Sequence, residues 1–218
     1  GAIFQQLYNV VDTMIVGRFV GVDALAAVGS TGNLTNLVVN FYVGLSTGAS
    51  VVIAQYYGAH NKDKIHQAVH TSYMLAIVSG IIMMLFGYQC LDAIGVPHDI
   101  LNDASLYMRL YFLGMIPGAI YNIGSGILRA VGDSKRPLYY LIICSIVNVV
   151  FDFVLVVILH KGIAGAAIAT FIAQTVCAIL VTLQLMFSKD VYQLTLSKIK
   201  FHLPVLKKIV QIGAPAGI

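Results

Sequence analysis

Six apolar runs, each close to or beyond the length of a membrane-spanning helix, take up most of this chain. They cover roughly residues 1–17, 24–54, 69–94, 104–128, 138–159 and 163–187, and a seventh begins at 206–218. About 20 apolar residues suffice to cross the hydrocarbon core as a helix. Charged residues make up only 10% of the 218-residue chain, against about 25% in a soluble domain. Mean hydropathy is +0.87. The chain therefore reads as an all-α polytopic membrane protein, a bundle of six transmembrane helices plus the start of a seventh. The gaps at 18–23, 58–65, 95–103, 129–137, 160–162 and 188–204 are short, so neighbouring helices run antiparallel. Residues 1–187 form the six-helix unit, 188–204 a linker, and 205–218 the first part of helix seven.

Basic residues orient the bundle. Lys62, Lys64, Arg129, Lys135, Arg136, Lys189, Lys198, Lys200, Lys207 and Lys208 fall on one side, 10 of the 13. Arg18, Arg109 and Lys161 fall on or near the other. Lys and Arg concentrate in cytoplasmic loops, so the native N-terminus, upstream of Gly1, is expected in the cytoplasm and Asp99 outside. Gly1 already lies in an apolar run with no basic region before it, unlike a signal peptide. The chain is expected to start inside its first helix and to stop inside its seventh, as part of a longer protein. The linker alternates apolar residues with Lys198 and Lys200. It either lies on the cytoplasmic leaflet or is a solvated connection.

Several chemistries find no support. Cys90, Cys144 and Cys177 fall in three different apolar runs without CxxC spacing, giving neither a disulfide framework nor a metal set. His66 and His70 have the i, i+4 spacing of a metal pair, but no third ligand is near in sequence. There is no phosphate-binding Gly-x4-Gly-Lys-Ser/Thr loop, no nucleophile elbow and no HExxH. An enzyme or nucleotide-driven pump, a bound cofactor and a nucleic-acid partner are not expected.

Two carboxylates break the pattern. Asp152 is the only charged residue in 138–159, and Asp12 the only one in 2–17. A charge at the centre of a membrane helix costs ~2.5–3.5 kcal/mol on insertion scales and marks a functional position by default. Counted at 1.5 Å per residue from the outer side, Asp12 lies ~9 Å deep, Asp152 ~12 Å and Thr170 ~12 Å. Asn148 is one turn deeper than Asp152 on the same face. Three helices thus bring polar groups to one depth. Burial disfavours the charged carboxylate, and two neighbouring carboxylates can share a proton. Carboxylate, amide and hydroxyl oxygens together also suit a hard cation. The pattern fits coupling an ion to the movement of something else.

Other polar and small residues are placed with regular spacing. Asn33, Asn36, Asn40 and Thr47 form one polar face on the second helix, which either lines a cleft or bonds neighbouring helices. Ala166, Thr170, Gln174 and Ala178 make a small and polar stripe on the sixth. Gly44/Gly48 and Gly114/Gly118 have the four-residue spacing of close helix packing. Pro117 is expected to kink the fourth helix.

Taken in order, several motifs resemble the multidrug and toxic compound extrusion (MATE) family. The first is Leu7-Tyr-Asn-Val-Val-Asp12-Thr-Met-Ile-Val-Gly17-Arg-Phe-Val-Gly21. Gly44-Leu-Ser-Thr-Gly-Ala49, Ala54-Gln-Tyr-Tyr-Gly-Ala59 and Arg129-Ala-Val-Gly-Asp133-Ser-Lys-Arg-Pro137 follow, then Asn148-x3-Asp152 and Gly165-Ala-Ala-Ile-Ala-Thr170. The resemblance implies twelve helices in two six-helix lobes, with this chain as the N-lobe and the C-lobe as its missing partner. It implies export through the cleft between lobes, by alternating access, in exchange for Na+ or H+. It also implies a cation site of Asp12, Asn148, Asp152 and Thr170, with Tyr8 as an accessory residue and Asn33, Asn36 and Asn40 facing the substrate cleft. The expected function is export of small amphiphilic cations across the cytoplasmic membrane. Two rivals stand beside it. A flippase for lipid-linked oligosaccharides would need Lys and Arg in its cleft, and helices one, two, five and six carry none between their ends. A non-transporting receptor or scaffold would not need the full polar set.

Overall fold

The computed structural model describes residues 22–94 and 101–216, with Met14, Gly17 and Arg18 ahead of them. Its side chains are described at 40–82, 113–162 and 164–216. Among these residues every regular element is helical. Helix α1 (Val22–Gly58) corresponds to the second expected span, followed by α2 (Lys62–Ile94), α3 (Leu101–Ala130) and α4 (Lys135–Asp152). A π-helical segment (Phe153–Ile158) extends α4, then come α5 (Gly162–Phe187) and α6 (Leu203–Ala216). Three described stretches are long and apolar enough to cross a membrane: Lys62–Ile82, Lys135–Ile158 and Ala164–Phe187.

Local chemistry sets the helix ends. His60 adopts φ 54° and closes α1. Asn61 then caps α2, its side-chain oxygen accepting the Lys64 N–H at 3.1 Å. This cap starts α2 inside the expected gap 58–65, with Asp63 favourably placed in its first turn. Asp133 does the same for α4 by accepting the Arg136 N–H at 3.2 Å. Helix α3 continues through Pro117.

Among the described helices α3 is the central one. It packs on α1, α2 and α5, while α4 leans on α5 and α6 on α1. Val52, Ile53, Val69, Tyr73, Ile123, Ile127, Leu128 and Leu185 fill the core. Ile146, Val150, Phe153 and Ile179 face outward, as lipid-facing residues of a membrane bundle would. The glycine pairs are packing devices. A Cβ on Gly48 would overlap the Ile209 carbonyl oxygen and come within 2.8 Å of the Gly213 nitrogen, so α1 and α6 touch backbone to backbone. The Gly114/Gly118 pair faces Phe171 and Gln174 of α5.

Two expectations need correction. Cys144 and Cys177 form a disulfide that ties α4 to α5. The spacing rule missed it because the partners are 33 residues apart. On an antiparallel helix pair, however, both lie about equally far from the turn at 160–162. The linker is not a fully solvated connection. It folds against α2, burying Tyr192 and Leu194. His70 Nδ1 donates to the His66 carbonyl at 2.7 Å, which leaves Nε2 to accept the Thr195 N–H at 3.0 Å. Thr71 Oγ1 accepts the His202 N–H at 3.1 Å.

Candidate functional site

Helix geometry places Asn148 and Asp152 one turn apart on one face of α4. Both side chains are 0% exposed, while Val149, Val150 and Phe153 beside them are exposed. The polar pair therefore points into the bundle and the apolar residues point out. Neither Oδ1 nor Nδ2 of Asn148 has a hydrogen-bond partner among the described residues. Such an orphaned buried amide costs about 1–3 kcal/mol, a cost that a bound cation or water would relieve. Thr170 lies half-buried on α5, the helix against which α4 packs. Asp12 and Tyr8 lie outside the described residues. So do the side chains of Asn33 and Asn36, whose backbone belongs to α1; Asn40 on the same helix is exposed.

The backbone changes character directly after Asp152. The Phe153 N–H contacts both the Val149 and Val150 carbonyls, and the six-residue π-helix follows. Such insertions recur at functional sites. Gly165 allows α5 to approach this segment; a Cβ there would lie 3.1 Å from the Leu155 carbonyl. Wider winding rises less per residue, so Asp152 sits nearer the outer end than an α-helical count gives. No pattern in Phe153–Ile158 signals this.

Chemically, the described part of the site offers a carboxylate, an amide and a hydroxyl, a donor set for a hard monovalent cation or a proton. Among the described residues no cluster of three or more His, Cys, Asp or Glu could hold a metal ion. His66 and His70 stack at 4.0 Å, and both nitrogens of His70 are taken up by backbone groups.

Comparison with known proteins identifies the family. The family model MatE matches residues 1–154. The chain is 32% identical to the probable multidrug resistance protein YoeA of Bacillus subtilis, over 99% of this chain and 49% of that protein. It is 25% identical to the probable multidrug resistance protein NorM of Thermotoga maritima, over 99% of this chain and 48% of that one. Among solved structures it resembles an outward-facing multidrug resistance MATE family transporter of the MOP superfamily, with TM-score 0.89 and 28% identity over 99% of this chain and 49% of that one. An inward-facing form matches with TM-score 0.87 and 28% identity, over 98% and 49%. The chain thus spans about half the length of the relatives it matches. With most of its length under the family model and its fold superposing on half of a MATE transporter, this chain belongs to the MatE family.

Proposed function

We propose that the chain serves as the N-terminal lobe of a cation-coupled exporter in the cytoplasmic membrane, its native N-terminus on the cytoplasmic side. Na+ or H+ enters a site of Asp12, Asn148, Asp152 and Thr170, with Tyr8 as accessory. Lipophilic, cationic compounds leave in exchange, along a cleft faced by Asn33, Asn36 and Asn40. The orphaned Asn148 amide carries this reading. It is fully buried one turn from a fully buried carboxylate. Either cation neutralises Asp152, and Asn148 and Thr170 supply uncharged oxygens. A site whose charge changes with occupancy biases the equilibrium between two bundle conformations. The names of the relatives favour drug export over lipid-linked oligosaccharide flipping. So does the lack of Lys and Arg along the interior of α4 and α5.

The test uses the product of the complete reading frame in proteoliposomes. Efflux of a fluorescent lipophilic cation is driven in turn by a Na+ gradient and by a pH gradient, in wild type and Asp152→Asn. Efflux under one gradient, abolished by the substitution, supports coupled export and names the ion. Wild-type efflux from Asp152→Asn removes the coupling role, and no efflux under either gradient removes the export reading.

A further inference from the structure

One turn beyond Asn148, towards the start of α4, a cavity of about 30 Å³ opens between α3, α4 and α5. That is room for one or two waters. Tyr121, Asn122, Ser145 and Gln174 line it, and the Cys144–Cys177 disulfide walls one side. Each polar side chain keeps hydrogen-bonding capacity in reserve. Ser145 Oγ donates to the Leu141 carbonyl at 2.9 Å and can still accept. Asn122 Nδ2 donates to the Gly118 carbonyl at 2.9 Å, leaving its own oxygen open. The Tyr121 hydroxyl donates to the Pro137 carbonyl at 3.1 Å and can still accept. Gln174 makes no hydrogen bond among the described residues.

The register joins this cavity to the candidate site. Ser145 is three residues before Asn148 and seven before Asp152, on one face of α4. Gln174 is one turn after Thr170 on α5. Tyr121 carries the polar line on to Pro137, in the first turn of α4 beside the basic Lys135 and Arg136. Polar side chains therefore mark a line from Asp152 to the basic end of the bundle along the packing of α3, α4 and α5. None of the four cavity residues is charged, so the line can hydrate or relay a cation without trapping it, as a conducting path requires.

We propose that this cavity is the inward release vestibule for the coupling cation. An ion leaving Asp152 and Asn148 reaches the cytoplasm through the lobe itself, past Gln174, Ser145, Asn122 and Tyr121, not through the substrate cleft. The proposal rests on the ion-coupling reading. A proton would pass along bridging waters and Na+ among the amide and hydroxyl oxygens; the two driving gradients distinguish them.

The experiment compares wild type with Ser145→Ala/Gln174→Met, made in the complete reading frame, which removes two polar partners at little change in volume. Ion-induced thermal stabilisation reads affinity at the coupling site, and maximal efflux under a Na+ or a pH gradient reads turnover. The expected result is an ion midpoint within twofold of wild type and at least a tenfold loss of maximal efflux. Unchanged efflux with a normal ion response overturns the vestibule alone. Affinity and efflux lost together also overturn it, by making these residues part of the binding site. A wild type without any ion response overturns the coupling reading and the vestibule with it. If the double variant does not fold, each single variant is read instead, with at least a threefold slowing expected and unchanged rates overturning the proposal.

Discussion

Asn148 shows how a single residue separates stability from function. Its amide is fully buried and has no partner among the described residues, so in the unliganded fold it is a cost. Asn148→Leu, similar in size, removes that cost. Thermal unfolding without ion is expected to be unchanged or about 1 kcal/mol more favourable to the fold. The same variant should lose ion-dependent stabilisation, which for an intact site reaches about 2.7 kcal/mol at a hundredfold excess over Kd. A marked drop in unliganded stability would show that the amide has a structural role. At this scale the sequence was readable where a charge broke an apolar run: Asp152, and Asn148 one turn before it, are both fully buried. Ser145, Asn122 and Tyr121 do not stand out, because a hydroxyl or amide on a membrane helix is ordinary until a cavity is seen beside it.

Between elements, close approach decides the packing. Gly48 and Gly213 bring α1 and α6 into backbone contact, whereas a Cβ on Gly58 would meet nothing within 4 Å. Gly48→Ala and Gly213→Ala are each expected to cost about 1–3 kcal/mol through overpacking. Gly58→Ala should be neutral or slightly stabilising, since it only relieves glycine entropy. Thermal midpoints of the three variants check this, and equal midpoints would remove the backbone contact as a packing determinant. The Cys144–Cys177 tie is a second inter-element device. A 33-residue closure gives a ceiling of about 3–4 kcal/mol from chain entropy, reduced here because helices in a bilayer are already confined. Cys144→Ser/Cys177→Ser should lower the midpoint, and a phosphine reductant should lower it in wild type but not in the double variant. Apolar length revealed the helices, but their ends depended on caps such as Asn61, which length does not report. The π-helix after Asp152 and the disulfide depend on contacts between α4 and α5, visible only once the two helices are set side by side.

Across the whole molecule, the linker at 188–202 joins α5 to α6 while holding on to α2. Its anchor is a pair of histidines hydrogen-bonded across the linker and α2. His70 accepts the Thr195 N–H, and His202 Nδ1 lies 3.2 Å from Thr71 Oγ1. Burial, and then the neighbouring Lys200, His70 and Lys64, push the His202 pKa below its ordinary value of 6.5. A group with a lowered pKa in the docked state binds a proton better when undocked. Docking is therefore at full strength above about pH 6.5 and weakens as pH falls from there towards the lowered value. Hydrogen exchange at the Thr195 and His202 amides, corrected for intrinsic pH dependence, should speed up between pH 7.5 and 5.5. His202→Gln, which keeps a hydrogen-bonding group but does not titrate, should flatten the response. A flat wild-type profile would remove His202 as the titrating anchor. The alternation of apolar residues with lysines in the linker did not foretell this docking. Tyr192 and Leu194 are buried by α2 and the end of α5, surfaces that exist only after the bundle has formed. Because the same linker leads into the α6 backbone contact at Gly213, acid-weakened docking should also loosen α6 against α1. Exchange at α6 amides near Ile209 should then follow the pH response of the linker in wild type and not in His202→Gln.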